Sequence, residues 1–132
     1  MEAPIETTAE RFLHATTAYW QEWVKSTSIS NFHQKLVLRS ALILKIHQYE
    51  DTGAIIAAST TSLPESPGST RNWDYRYCWI RDSYYTLTCF NSLGHFEELE
   101  KYFEFIHNLR PGEDGRYQPL YSITGDSLLT EE

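Results

Sequence analysis

Between positions 71 and 85 the chain reads Arg-Asn-Trp-Asp-Tyr-Arg-Tyr-Cys-Trp-Ile-Arg-Asp-Ser-Tyr-Tyr, so that aromatic rings alternate with charged groups. A flat ring beside a carboxylate and a guanidinium suits a sugar. The sugar's C–H face stacks on the ring while its hydroxyls need both donors and acceptors. Read as a helix, this stretch places Tyr75, Trp79, Asp82 and Thr86 on one face, because they are three and four residues apart. Arg81 and Asp82 are neighbours, so on a helix they point in different directions; the spacing predicts no ion pair between them, yet both can converge on a ligand near the helix start. The competing reading is a buried aromatic helix that carries its charges on the surface.

Other chemistry finds little foothold. Eight residues of helix separate Asp74 from Asp82 by about 12 Å, wider than the roughly 5–9.5 Å of carboxylate pairs that cleave sugars, so Asp74 reads as a helix cap or a partner of the preceding loop. The five histidines, at positions 14, 33, 47, 95 and 107, have no metal-ligand spacing and read as helix-surface or capping residues. There is no glycine-rich phosphate loop, dinucleotide fingerprint or nucleophile elbow. No cofactor and no metal are expected. On one helix Cys78 and Cys89 would lie roughly 16 Å apart, too far for a disulfide, so both are expected as thiols. A net charge of −7 has the wrong sign for nucleic acid or an anionic membrane. The absence of a long apolar run and of a basic leader makes the cytoplasm the expected compartment.

The elements that must position the cluster follow from periodicity. Phe12, Thr16, Tyr19, Trp20 and Trp23 predict a helix over 7–25, with Thr7 and Glu10 as a capping box. A Ser- and Thr-rich break at 26–30 separates it from a second helix, opened by Asn31 with Gln34 and running to about Tyr49; the two should pack as a hairpin. The apolar run 54–58 predicts a short strand or extended segment, and 63–72, with Pro64, Pro67 and Gly68, a surface loop. A third helix is expected over 75–92, stopped by Gly94, and a fourth over 95–109, with Glu97, Glu98 and Glu100 near its positive end. The segment from 112 to 132 reads as loop with no closing element, as if cut.

The run 52–65, Thr-Gly-Ala-Ile-Ile-Ala-Ala-Ser-Thr-Thr-Ser-Leu-Pro-Glu, followed by the 71–82 cluster, resembles the opening signature of glycoside hydrolase family 15, which includes glucoamylases, glucodextranases and some trehalases. Gln118 to Gly125 resembles the family too, whereas Ser66 to Thr70 departs from the Gly-Gly-Glu-type loop of many bacterial members. The resemblance implies a mainly α fold, part of an (α/α)6 barrel: residues 1–30 as leading helix and linker, 31–132 as the start of an incomplete catalytic domain. It implies that Tyr75, Trp79, Arg81 and Asp82 line the subsite of a non-reducing terminal glucose, for an α-glucan or disaccharide substrate cleaved with inversion. Both catalytic glutamates are implied to lie beyond the last residue here, so that this chain alone is expected to be inactive. A second implied reading is a non-catalytic module like the regulatory subunits of phosphorylase kinase. Helices lifted from a barrel leave apolar faces for the rest of the barrel or for self-association, and Leu36, Leu44, Phe90, Phe103 and Ile106 are the expected exposed positions.

Overall fold

In the computed structural model, which describes residues 4–60, 64–69, 71–127 and 129, helical periodicity becomes four helices: α1 (Ile5–Lys25), α2 (Gln34–Ile46), α3 (Ile80–Leu93) and α4 (Phe96–Asn108). Two short strands, β1 (Cys78–Trp79) and β2 (Leu120–Tyr121), pair antiparallel with Cys78 opposite Tyr121 and Trp79 opposite Leu120. The chain is therefore mainly helical with a small sheet. The helix starts differ from the sequence signals. Helix α1 begins behind Pro4, whose fixed φ suits a helix start, so Thr7 and Glu10 lie inside the helix rather than forming a capping box. Helix α2 begins behind His33, held in the left-handed region at φ 52°, rather than at Asn31.

The main helix contacts are α3 on α4 and α2 on α3; the expected hairpin of α1 and α2 is not among them. Instead α1 is pinned at its C-terminal end. Trp23 is its one buried residue, edge-on to Phe90 of α3 at 6.4 Å, and the Ser28 N–H donates to the Leu93 carbonyl. This cover makes Phe90 fully buried instead of exposed, which contributes about 1.5–3 kcal/mol. Leu36 and Phe103 are exposed as expected, while Leu44 and Ile106 are half-buried against the core of Ala41, Ala54, Ile55, Cys78, Phe90, Phe105 and Tyr121. Gly94 ends α3 in the left-handed conformation that closes helices. At Gly53 a Cβ would run into the Lys101 carbonyl, so only glycine lets the 50–54 turn approach α4.

A buried polar node ties α1, α2 and α4 together. Trp23 Nε1 donates to Glu98 Oε1 at 2.6 Å, and Lys45 Nζ lies 3.3 Å from the same oxygen. The His95 ring stacks on Trp23 with centroids 3.9 Å apart, its Nε2 2.9 Å from Thr27 Oγ1 and its Nδ1 3.8 Å from Glu98 Oε2. Gln48 Nε2 donates to the Glu98 and Gly53 carbonyls, and Glu50 bridges Lys45 and Lys101. Burial works to raise the Glu98 pKa, but the Trp23 N–H and the nearby Lys45 hold the carboxyl below its ordinary range. Burial pulls Lys45 down, yet Glu50 and Glu98 carry it above its usual value. His95 is lowered, chiefly by burial. It is thus neither a helix-surface histidine nor a side-chain cap, although it occupies the N-cap position of α4.

Candidate functional site

The aromatic cluster is not helical where a helix was expected: residues 75–77 turn, and Cys78–Trp79 are extended. Backbone bonds run from Ala57 N–H to the Tyr77 carbonyl and from Ala58 N–H to the Tyr75 carbonyl. Further along, Cys78 and Trp79 pair with β2 and the Ile80 N–H donates to the Pro119 carbonyl. These long-range ladder bonds override the helical spacing, so α3 starts at Ile80 and the shared helix face of Tyr75, Trp79, Asp82 and Thr86 does not exist. Cys78 and Cys89 are both free, but they sit on a strand and a helix rather than on one helix. The 54–58 run is extended, with Ala54 and Ile55 buried, the other three half-buried, and Ile55 bridging Gln48. Of the 63–72 loop, Leu63 and Thr70 lie outside the described residues; Pro64 bridges Asn72 at its base.

Trp79 is the N-cap of α3, which places Arg81 and Asp82 in the first helical turn, within about 5 Å along the axis. Ser83 fixes this junction: its buried hydroxyl shares its one proton between the Trp79 carbonyl at 3.0 Å and the Ile55 carbonyl at 3.2 Å. The Tyr75 and Trp79 rings come together at 6.1 Å, and the edge of Trp73 meets Trp79 at 5.9 Å and 83°. Trp73 and Tyr75 both keep more than a third of their surface exposed. Arg81 and Asp82 also come together, with Nε 3.6 Å from Oδ2, contrary to the expectation that they point apart; a long arginine at the first turn can fold back on its neighbour. The Arg81 side chain is 75% exposed and that of Asp82 36% exposed. Oδ2 of Asp82 is shielded, yet among the described residues it accepts no hydrogen bond.

Such an oxygen is costly unless a donor reaches it, through a small rotation of Arg81 or a hydroxyl brought from outside. The start of a helix suits the carboxylate's charge. Together these groups offer rings for stacking, a fork of donors and a strong acceptor on one short stretch of chain. Asp74 does not cap α3. Its carboxylate accepts from the Arg76 backbone N–H, Nε and Nη2, and its carbonyl accepts from Trp79 Nε1 at 2.8 Å. Trp73, Arg76 and Ser83 are the residues that spacing alone passed over.

The profile of glycosyl hydrolases family 15 matches residues 31–132. The chain belongs to this family. Its curated relatives include proteins named trehalase from Thermoplasma volcanium, 41% identical over 90% of this chain, and from Mycobacterium tuberculosis, 42% identical over 88%. Trehalase 1 of Sulfolobus acidocaldarius is 31% identical over 92%. These matches cover 19%, 18% and 21% of the relatives, so this family 15 chain spans about one fifth of their length. No solved structure matches it. Among the described residues no helix is long and apolar enough to cross a membrane.

Proposed function

We propose that this chain supplies the wall that grips a terminal glucose in an inverting α-glucoside hydrolase, and that the substrate is the disaccharide α,α-trehalose rather than a long glucan. In this reading Tyr75 and Trp79 stack on the sugar ring while Arg81 and Asp82 bond its distal hydroxyls. Residues 31–132 begin an (α/α)6 barrel, 1–30 lead into it, and the general acid and base come from elsewhere, so this chain alone binds without cleaving. The observation that carries the reading is the Asp82 carboxylate: placed at the start of α3 beside an exposed guanidinium and a half-open aromatic group, it keeps one oxygen without a donor among the described residues. The trehalase names of relatives that align across this whole region support the disaccharide.

The test is a titration of the chain with α,α-trehalose and, separately, maltose, followed by the NMR signals of the tryptophan indole N–H groups. Trp79 should shift and saturate with trehalose at lower concentration than with maltose, while Trp23, buried in the node, stays in place. A Trp79 signal indifferent to both sugars overturns the assignment. A preference for maltose returns the substrate to the glucan class.

A further inference from the structure

Trp79 lies on a strand of only two residues, and its indole is fixed by one hydrogen bond, to the carbonyl of Asp74. That carbonyl is in turn held by its own side chain. Asp74 Oδ1 accepts from the Arg76 backbone N–H at 2.9 Å and from Arg76 Nε at 3.0 Å, and Oδ2 accepts from Nη2 at 2.7 Å. The clamp closes a tight turn between the two aromatic residues that meet edge to face, Trp73 and Trp79. We propose that Asp74, acting through this clamp on Arg76, is a positioning residue that sets the orientation of the Trp79 ring for stacking on the sugar. The inference rests on the sugar-site reading above, but its mechanical part can be tested without a sugar.

Two features separate this role from plain structural support. The Arg76 side chain is 59% exposed and that of Asp74 25%; a pair this open on the arginine side adds little to global stability, so Arg76→Ala should leave the melting temperature nearly unchanged. A second indole, Trp23, donates to the buried Glu98 and has no part in the clamp. It serves as a control within the same molecule.

The experiment measures hydrogen exchange of both indole N–H groups in the wild-type chain and in Asp74→Ala, Arg76→Ala and Asp74→Asn. The expected result is about tenfold faster exchange at Trp79 in both alanine variants, with Trp23 unchanged. Asn keeps an acceptor for the Arg76 backbone N–H and should restore most of the protection. Added α,α-trehalose should then shift the Trp79 signal several-fold less effectively in the alanine variants. Unchanged Trp79 exchange in both alanine variants overturns the proposal. If Asp74→Ala fails to fold and Trp23 loses protection too, Arg76→Ala and Asp74→Asn decide the question. If trehalose leaves the wild-type Trp79 signal unmoved, the sugar-site reading falls while the exchange rates still decide whether the clamp holds the ring.

Discussion

Two regions of this chain are built from the same residue types and do opposite things with them. The node joins a tryptophan, a carboxylate and a cation as Trp23, Glu98 and Lys45; the candidate site joins them as Trp79, Asp82 and Arg81. In the node the Glu98 and Lys45 side chains are each only 4% exposed, and the indole N–H donates straight to the carboxylate. In the site the indole N–H is spent on a backbone carbonyl, Arg81 lies largely in water, and Asp82 keeps an oxygen without a donor among the described residues. The carboxylate of the node has its donors within the fold, whereas at the candidate site one shielded Asp82 oxygen has none among the described residues.

The largest test of that contrast is Glu98→Ala. Among the described residues it leaves the buried Lys45 with Glu50 as its remaining ion-pair partner and takes away the acceptor of Trp23, and breaking a buried pair in this way costs about 3–5 kcal/mol. Denaturant unfolding should show the loss, and a change below about 1 kcal/mol would remove the node from any structural role. Trp23→Phe should cost less, about 1.5–3 kcal/mol for a hydrogen bond to a charged group.

Asp82→Asn comes next and should act on the other axis. Replacing a charged acceptor by a neutral one in hydrogen bonds to sugar hydroxyls should weaken α,α-trehalose binding by about tenfold while the melting temperature stays near wild type. Loss of stability with unchanged binding would make Asp82 part of the fold and erase the distinction between the regions.

The node could not be read from local pattern, and the site only in part. The bodies of α1, α2 and α4 and the stop at Gly94 were legible, because apolar spacing and a left-handed cap are written within a few residues of where they act. The start of α3 was misread by five residues. Tyr75, Trp79 and Asp82 happen to fall at helical spacing, and what decides their conformation is pairing with residues 57–58 and 119–121, remote in sequence. Trp23, Lys45 and Glu98 are likewise brought together only by the fold, so His95, which stacks on Trp23, reads from sequence as a helix-surface or capping residue. The candidate site residues come from the family resemblance and not from spacing. Their mutual geometry, including the Arg81–Asp82 contact, follows from neither.

A smaller effect follows from His95. Burial lowers its pKa in the folded chain, so as pH falls the unfolded chain, with an ordinary value of about 6.5, takes up the proton first. Stability from this group is therefore full above about pH 6.5 and declines below it, until pH passes the lowered folded value. The slope is at most about 1.4 kcal/mol per pH unit for one proton. Melting temperatures measured from pH 7 to 5 should fall, and His95→Phe, which keeps a flat ring against Trp23, should flatten the decline above the range where Glu98 and Glu50 begin to protonate. A decline equally steep in the variant would place the responsible proton elsewhere.

The smallest expected effect is that of Trp79→Phe, and it asks whether the two indoles differ as the two regions do. The change removes a neutral hydrogen bond, to the Asp74 carbonyl at 2.8 Å, and keeps an aromatic face. A bond of that kind is worth about 0.5–1.5 kcal/mol, against about 1.5–3 kcal/mol for the charged bond that Trp23→Phe breaks. Trp79 is half-buried, so a smaller ring leaves only a shallow void, and the stability cost should stay at the low end of that range. Binding should behave differently. Phe still stacks on a sugar, but it loses the hydrogen bond that fixes the ring's angle, so α,α-trehalose should bind a few-fold more weakly than to wild type and more tightly than to Trp79→Ala. Side-by-side unfolding and titration of Trp23→Phe and Trp79→Phe check this. If Trp79→Phe costs as much stability as Trp23→Phe and leaves binding unchanged, the exposed cluster is a second structural anchor, because its ring would be holding the fold and not a ligand.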